Sequence, residues 1–295
     1  MTENRRPGMR GNRAGNILWV GCGALGLKAT ARLRDAGYQV TATRRSEAGL
    51  AALPRGVDGL VLEVGAAAAQ PALVEQRWEA VIVTLSAPAN AGDYWRVYVE
   101  GMLALVAELE KNPHRPLLLF ASSTSVYAQN DGSEVDETSP AAPVGYSGRT
   151  MLAAEAVLAN SALAGSAIRF SGIYGAGRRN HLLEVLRQGR ICPPQPAHYS
   201  NRIHSIDCAR VFEHLLARAG RGEALADIYL GCDGNSAPLR EIMLWLAERE
   251  HIAVDQLCAD YLPGRGGNRR CRPARLQAEG FVPQYASFRE GFAAG

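Results

Sequence analysis

The hexapeptide GCGALG, residues 21–26, constrains this chain more than any other stretch, because it joins an apolar run to a helical pattern. The five residues before it have the composition of a buried strand, and the residues after it repeat apolar side chains at helical spacing. In that context Gly21 permits a tight turn, Gly23 lets a pyrophosphate approach the backbone, and Gly26 lets helix and strand pack closely. The N–H groups at the start of the helix would bind the phosphates. The segment therefore predicts a dinucleotide-binding site.

The rest of the chain alternates strand-length apolar runs with helical patterns. The predicted strands are 16–20, 38–45, 59–64, 79–86, 116–123, 166–175, a short one near 201 and 226–234. The predicted helices are 25–37, 94–111, 154–160, 181–189, the rest of 201–220 and 238–251, and residues 65–72 are interpreted as a helix start. Such alternation indicates βαβ units and a parallel sheet covered on both faces. We predict an α/β fold, a Rossmann-type doubly wound parallel sheet with a small C-terminal substrate lobe.

The domain prediction follows from the same pattern. Residues 1–14 are predicted to be a disordered tail, and residues 15–175 an NAD(P)-binding Rossmann domain. Residues 176–295 are predicted to form a C-terminal substrate-binding lobe that is interleaved with the Rossmann core. The 295 residues, 47% of them hydrophobic, are enough for a large core.

Composition excludes several classes of protein. A net charge of +3 and 7% aromatic residues do not indicate nucleic-acid binding, so no nucleic-acid partner is expected. No apolar run approaches the length of about 18 residues that a membrane helix needs, so no membrane partner is expected either. The six cysteines form no CxxC pair and no metal-ligand motif is present. We therefore predict reduced thiols, a cytoplasmic location and no metal site.

The end of the second strand, TATRRSE, bears on the choice of cofactor. Arg44 lies 18 residues after Gly26, with Arg45 beside it, at the place where an NAD site usually offers an acidic residue. A guanidinium binds the 2′-phosphate of NADP, whereas a carboxylate would repel it. We predict NADP, and NAD is the alternative because Glu47 lies nearby. The predicted cofactor-binding residues are Gly21, Gly23, Ala24, Leu25, Gly26, Arg44, Arg45, Leu85 and Ser86.

Five segments that span most of the chain resemble one family. They are GCGALG, VYVEGMLALVAEL (97–109), LLLFASSTSVYA (117–128), IRFSGIYGAGR (168–178) and NRIHSIDCARV (201–211). The chain resembles the extended short-chain dehydrogenase/reductase superfamily, the NAD-dependent epimerase/dehydratases. Residues 266–292 resemble the C-terminus of an atypical branch that keeps the nucleotide site and alters the catalytic tetrad. The resemblance implies that Ser123, three residues before the Val-Tyr pair, is the catalytic serine.

The resemblance also implies a tyrosine and a lysine four residues apart on one helix, but the lysine is missing here. Tyr146 would pair with Thr150, which carries no charge and cannot lower the pKa of a phenol. Arg149 is the nearest cation in the sequence. In the family the tyrosine exchanges a proton while hydride moves. Tyr146 is therefore predicted to be catalytic, with two alternatives: that it only lines the substrate pocket, or that it is only structural.

A second register of the same helix is also open. If the helix is aligned on the downstream Glu155, then Ser147 and Met151 take the two positions. Neither register contains a lysine, since no lysine follows Lys111.

The substrate is expected outside the carboxyl ends of the strands. Thr124, Arg178, Arg202 and His204 are predicted to face it, and the arginines suit a phosphorylated or carboxylated molecule. The alternatives are surface arginines and a His204 packed beside a strand. Asp207 is interpreted as a helix cap.

Two functions follow from this sequence. The first is an NADP-dependent oxidoreductase or epimerase/dehydratase-like enzyme that acts on a small polar substrate through Ser123 and Tyr146. The second is a non-catalytic NAD(P)-binding sensor or regulatory protein. A homodimer through the helices that flank the sheet is a further expectation from the resemblance.

Overall fold

A computed structural model describes residues 15–175, 180–263 and 267–294. The predicted tail 1–14 and the predicted substrate residue Arg178 lie outside the described residues. The strands are β1 (Asn16–Val20), β2 (Gln39–Arg44), β3 (Asp58–Val61), β4 (Ala80–Val83), β5 (Leu117–Ser123), β6 (Glu134–Val135), β7 (Gly165–Phe170), β8 (Gly172–Tyr174), β9 (Tyr199–Ser200), β10 (Arg202–His204), β11 (Ile228–Gly231), β12 (Ala237–Pro238) and β13 (Arg270–Cys271). The helices are α1 (Ala24–Asp35), α2 (Glu47–Leu50), α3 (Ala72–Glu75), α4 (Ala91–Trp95), α5 (Gly101–Leu109), α6 (Tyr146–Ala159), α7 (His181–Arg187), α8 (Ser205–Gly220), α9 (Leu239–Arg249), α10 (Ala274–Ala278) and α11 (Phe288–Ala293).

The main sheet has seven strands in the order β11–β7–β5–β4–β1–β2–β3. Every neighbouring pair is parallel. The chain winds outward from β1 to β3 and then returns to β4 on the other side of β1, so the direction of winding switches between β1 and β4. In their pairing Val20 lies beside Val83, which brings the loops after β1 and β4 together. The predicted α/β doubly wound fold is confirmed.

Both faces of the sheet are covered, and each strand contributes alternate residues to the two sides. In β4, Val81 and Val83 belong to one hydrophobic cluster, while Ala80 and Ile82 belong to the other. All four side chains are fully buried. This explains why the strand is a continuous apolar run without a polar face.

The C-terminal half contributes to the same core. Strand β11 extends the main sheet beyond β7, and α8 packs against α1, where Arg32 and Glu213 form an ion pair of 2.8 Å. A separate hydrophobic cluster around Leu186, Ile242 and Phe288 forms the small lobe. Residues after 175 therefore belong in part to the Rossmann core.

Three local predictions differ from the structure. The predicted helix 94–111 consists of α4, a π-helical turn at Arg96–Glu100 and α5. The predicted helix start at 65–72 is a 3₁₀ turn at Val64–Ala69. Asp207 is not the cap of α8, because His204 Nδ1 accepts the hydrogen bond from the Ile206 N–H at 3.3 Å.

Asp207 has another structural role. Its buried carboxylate accepts hydrogen bonds from the backbone N–H groups of Gln284, at 2.7 Å, and Tyr285, at 3.0 Å. It thereby fixes the C-terminal segment to the start of α8. Among the helices of the described residues, none combines the length and the apolar composition needed to cross a membrane.

Candidate active site

The loop after β1 is held in shape by two threonines. The Thr84 hydroxyl donates to the Gly21 carbonyl at 3.0 Å and accepts from the indole N–H of Trp19 at 2.7 Å. The Gly21 N–H donates to the Thr43 hydroxyl at 3.0 Å. The ends of β1, β2 and β4 are therefore joined at one turn, directly beside the switch in winding direction.

Each glycine of the loop has a distinct reason to be glycine. Gly21 has φ +82°, and a Cβ there would lie 2.8 Å from the Thr84 carbonyl oxygen. A Cβ on Gly26 would lie 2.6 Å from the indole nitrogen of Trp19. A Cβ on Gly23 would meet no heavy atom within 4 Å, so this residue faces open space. The loop thus has two packed glycines and one exposed to an approaching ligand.

The start of α1 suits an anion. Gly23 is its N-cap, no side chain caps the helix, and its first turn contains no acidic residue. Ala24 is the first helical residue, followed by Leu25. The backbone N–H groups of this turn and the helix dipole both favour a phosphate here.

A first cavity of about 190 Å³ extends from this loop across the end of β2. Arg44 and Arg45 lie on its wall, and Arg45 is exposed. The Arg44 Nε is buried and has no hydrogen-bond partner among the described residues. Glu63 also lines this cavity, whereas Glu47 begins α2 and is not among the lining residues. The cavity therefore has on its wall an arginine whose buried Nε lacks a partner, at the end of β2.

A second cavity of about 190 Å³ lies on the other side of the loop, at the carboxyl ends of β1, β4 and β5. It shares Gly21, Gly23, Thr84, Leu85 and Ser86 with the first cavity, so the two form one groove. The rest of its wall is Leu25, Gly26, Tyr94, Tyr98, Ala121, Ser122, Ser123, Met151, Phe170 and Ile173. The structure thus brings the predicted cofactor residues together with the predicted catalytic Ser123.

Helix α6 contributes one residue to the wall of this second cavity. Met151 lies on its wall, whereas Thr150 is buried elsewhere, at 4% exposure. Gly148 allows the helix to approach closely, since a Cβ there would clash with the Ser125 carbonyl. One turn further on, Glu155 points at β5. Met151, which takes the lysine position in the second register of the sequence analysis, therefore lies on the cavity wall, and Thr150 does not.

Tyr146 lies at the start of α6, beside the cavity and not on its wall. Its ring packs edge-on against Tyr94, with 5.8 Å between the ring centroids. Ser147, four residues before Met151, lies on the same side of the helix but is not among the residues that line the cavity. Arg149 is exposed and donates to a backbone carbonyl, so it does not replace the missing lysine. Neither Tyr146 nor Thr150, which the sequence analysis paired, is among the residues that line this cavity.

A buried ion pair lies beneath the cavity. Glu155 accepts from the Ser122 hydroxyl at 2.5 Å and pairs with Arg169 at 2.7 Å. Arg169 also donates to the Tyr127 hydroxyl at 3.1 Å, and both members of the ion pair are 5% exposed. Tyr127 donates onward to a backbone carbonyl. This network holds α6, β5 and β7 in register below Ser123.

A third cavity, of about 550 Å³, lies between the small lobe and the ends of β8 and β10. Thr124 and Arg202 lie on its wall, as predicted for substrate residues. The Arg202 Nε is buried without a hydrogen-bond partner among the described residues, and its guanidinium lies 5.7 Å from the Phe292 ring centroid. Burial raises the pKa of the neighbouring Asp233 to about 7, which weakens it as a counter-charge near neutral pH. The cavity is therefore suited to an anionic group.

His204 is packed inside the lobe. It is 3% exposed, and its ring lies between Tyr174, at 5.3 Å, and Tyr285, at 4.1 Å. Burial lowers its pKa, so it is held neutral. His204 is therefore packed beside a strand, as the alternative in the sequence analysis had it, and it is not among the residues that line the third cavity.

Comparison with known sequences gives the family. The model of the NAD dependent epimerase/dehydratase family matches residues 20–189, which is more than half of the chain. This chain belongs to that family. The matched range contains the glycine loop, both small cavities and the predicted catalytic residues.

Individual relatives agree with this assignment to the epimerase/dehydratases. Protein YeeZ of Escherichia coli K12 is 33% identical over 171 residues, which cover 54% of this chain and 59% of YeeZ. A structure from Methylobacillus flagellatus described as an NAD-dependent epimerase/dehydratase is 32% identical, with a TM-score of 0.75 over 95% of this chain and 96% of that one. WbmG of Bordetella bronchiseptica, solved in complex with NAD, has a TM-score of 0.76 at 17% identity, over 96% of this chain and 93% of WbmG. The last likeness concerns the fold alone.

Sequence reasoning missed several residues that line the two small cavities of this family member. Glu63 follows a strand and could have been found by the same strand-end rule that selected Leu85 and Ser86. Tyr94 and Tyr98 lie on a helical segment and gave no such signal. Tyr98 belongs to the π-helical turn that follows α4, a feature that is common at functional sites.

Proposed function

We propose that this chain is an NADP-dependent oxidoreductase or epimerase/dehydratase-like enzyme that acts on a small polar substrate. The observation that carries the proposal is the single groove formed by the two small cavities. It joins the open Gly23 and the uncapped start of α1 to Ser123. The NAD complex of WbmG supports a nicotinamide cofactor in a fold of this kind. When bound, such a cofactor supplies or accepts a hydride.

The residues present fit a dinucleotide. A pyrophosphate would lie against Gly23 and the first N–H groups of α1. The adenosine half would occupy the cavity lined by Arg44, and the nicotinamide half the cavity lined by Ser123. The unpaired Nε of Arg44 favours NADP over NAD, because a 2′-phosphate would supply the missing acceptor.

Replacing Arg44 with serine tests the choice of cofactor. We expect the affinity for NADPH to fall about 10- to 100-fold, as expected for the loss of one charge-assisted bidentate contact of about 1.5–3 kcal/mol. The affinity for NADH should change by less than about threefold, since NADH has no 2′-phosphate. Calorimetric titration of both cofactors measures the ratio.

Arg55→Ser is the matched control, because Arg55 is exposed and is not among the residues that line the cavity. An equal loss of NADPH and NADH affinity in Arg44→Ser, or tighter NADH binding by the unaltered protein, would contradict the NADP assignment. NAD would then be the cofactor.

On the substrate side, Ser123 lies on the cavity wall and would orient the substrate oxygen. Tyr146 as proton donor stays a prediction, and its ring lies one side chain away from the wall. The larger cavity would hold the remainder of the substrate, with Arg202 binding a carboxylate or phosphate.

The enzymatic role is tested by oxidation of NADPH in the presence of a carbonyl panel that contains neutral and anionic members. We expect turnover of an anionic member, and a fall in kcat of about 10²-fold or more in Ser123→Ala, as for loss of a hydrogen-bond donor to a reacting oxygen. Absorbance of the reduced nicotinamide follows the reaction. An unchanged kcat in Ser123→Ala would contradict the role of that serine.

A non-catalytic sensor is the second candidate. The observation that favours it is Met151, an uncharged side chain on the cavity wall that takes the lysine position in the second register. Tight cofactor binding without turnover of any carbonyl in either direction would support this function over the first.

A further inference from the structure

Arg269 is a buried arginine of the C-terminal half that contacts the turn after Ser123. It is 4% exposed. Its Nη1 donates to the Thr124 carbonyl at 2.7 Å, and its Nε donates to the Gln129 carbonyl at 3.0 Å. The backbone of Arg269 is also fixed, because the side-chain amide of Asn201 donates to its carbonyl at 2.9 Å. The guanidinium is therefore held against the strand end that carries Ser123.

The charge of this guanidinium is not balanced by a carboxylate. Among the described residues, two backbone carbonyls accept its hydrogen bonds and no Asp or Glu pairs with it. Burial lowers the pKa of Arg269, but the ordinary value lies so far above neutrality that the side chain stays charged. A buried charge without a counter-charge costs free energy, and such costs are common at functional sites. A side chain that only held the turn in place would not need this charge.

The carbonyl that Arg269 contacts belongs to a peptide group that also contacts Ser123. This peptide group joins Thr124 to Ser125, and the Ser125 N–H donates to the Ser123 Oγ at 3.2 Å. Two hydrogen bonds in series therefore connect the Arg269 guanidinium, through one peptide group, to the Ser123 hydroxyl. Hydrogen bonds in series polarise one another, and a charged donor gives a stronger bond than a neutral one.

The Ser123 hydroxyl is placed to act on a ligand. Ser123 lines the second cavity, and its hydroxyl proton has no acceptor among the described residues. The neighbouring Ser122 differs, because its hydroxyl donates to Glu155 inside the protein. A hydroxyl oxygen that accepts a hydrogen bond from a polarised N–H becomes a stronger donor through its own proton. Ser123 is thus the hydroxyl at the end of β5 that is suited to donate to a substrate oxygen.

We propose that Arg269 is a positioning residue, which fixes Ser123 and strengthens its hydroxyl as a hydrogen-bond donor to the substrate oxygen. Arg269 acts through the peptide group between Thr124 and Ser125 and does not touch the substrate. No proton is transferred along this chain, since each N–H group keeps its hydrogen. The inference rests on the proposed function, in which Ser123 orients the substrate oxygen. It makes catalysis depend on the segment that enters β13, because Arg269 directly precedes that strand.

The first test is spectroscopic and needs no turnover. The Ser125 amide proton is observed by nuclear magnetic resonance in the unaltered protein and in Arg269→Met, which removes the charge and both hydrogen bonds. We expect this signal to move upfield in Arg269→Met, because the N–H group is less polarised. Arg275→Met is the matched control, since Arg275 also donates to a backbone carbonyl at 2.7 Å, but to that of Ile228 at the start of β11. The Ser125 signal should not move in the control.

The second test is a double-mutant cycle in NADPH oxidation, with a carbonyl that the unaltered protein reduces. We expect Arg269→Met to lower kcat about tenfold with unchanged NADPH affinity, and Arg269→Lys, which keeps the charge, to lower it less. In a Ser123→Ala background, Arg269→Met should change kcat by less than about twofold, because the serine on which Arg269 acts is absent. A purely structural role would lower kcat in both backgrounds. Unchanged NADPH affinity shows that each variant keeps its fold.

Three results would overturn the inference. If Arg269→Met lowers kcat equally with and without Ser123, then Arg269 does not act through this serine, and the proposed function stands. If the Ser125 amide signal stays in place in Arg269→Met, the peptide group does not transmit the charge, and the proposed function again stands. If the unaltered protein reduces no carbonyl, the proposed function fails and the positioning role fails with it. Turnover by the unaltered protein separates the third result from the other two.

Discussion

Glu155→Ala is expected to lower the free energy of unfolding by about 3–5 kcal/mol, because it leaves the Arg169 guanidinium buried without its counter-charge. Both residues are 5% exposed, and the pair distance is 2.7 Å. The variant also removes the acceptor of the Ser122 hydroxyl, which adds a second unsatisfied polar group to the same site. Urea denaturation, followed by circular dichroism, measures the change.

Two controls make this prediction specific. Glu134→Ala removes the partner of Arg272 in an exposed ion pair of 3.0 Å, and it should cost less than about 1 kcal/mol. The double variant Glu155→Leu with Arg169→Met removes both charges and should recover much of the lost stability, since buried pairs can often be replaced by apolar side chains. A loss in Glu155→Ala no larger than that in Glu134→Ala would contradict the structural role of the network.

Gly23→Ala is expected to reduce cofactor affinity by at least about tenfold, or about 1.4 kcal/mol, with a change in stability of no more than about 1 kcal/mol. The new methyl group would meet no atom of the protein within 4 Å, so it would project into the space through which a pyrophosphate approaches. Calorimetry with NADPH and urea denaturation measure the two quantities.

Gly21→Ala is the matched variant in the same loop, and it should show the opposite balance. With φ +82° and a Cβ only 2.8 Å from a backbone oxygen, alanine there should cost about 1–3 kcal/mol of stability. An unchanged NADPH affinity in Gly23→Ala would show that the open space at Gly23 has no binding role.

Much of the fold follows from local patterns. Continuous apolar runs such as the one that contains Ala80–Val83 indicate strands buried on both faces, and strand–helix alternation then indicates a parallel sheet. The switch in winding direction brought Gly21 and Thr84 together as the doubly wound arrangement requires. Arg44 could also be placed at the nucleotide site, because its position depends only on the end of β2.

Which side of α6 faces the cavity could not be predicted in the same way. Successive residues of a helix point about 100° apart, and Thr150 and Met151 are both compatible with a mostly buried helix. The choice between them depends on Gly148, which admits the backbone of the turn after β5, and on Glu155, which pairs with Arg169 on another strand. These contacts join residues that are distant in sequence, so the local spacing of apolar residues does not predict them.

The sequence by itself determined the doubly wound sheet and the glycine loop, because both depend on burial periodicity and on backbone freedom at single positions. Tertiary structure alone decided that Met151 and Tyr94 line the cavity, that Tyr146 lies beside it, and that His204 is buried. The reason is that packing between separate elements sets which side of a helix faces the cavity and which neighbours a side chain has. Such contacts cannot be predicted from the sequence of one segment.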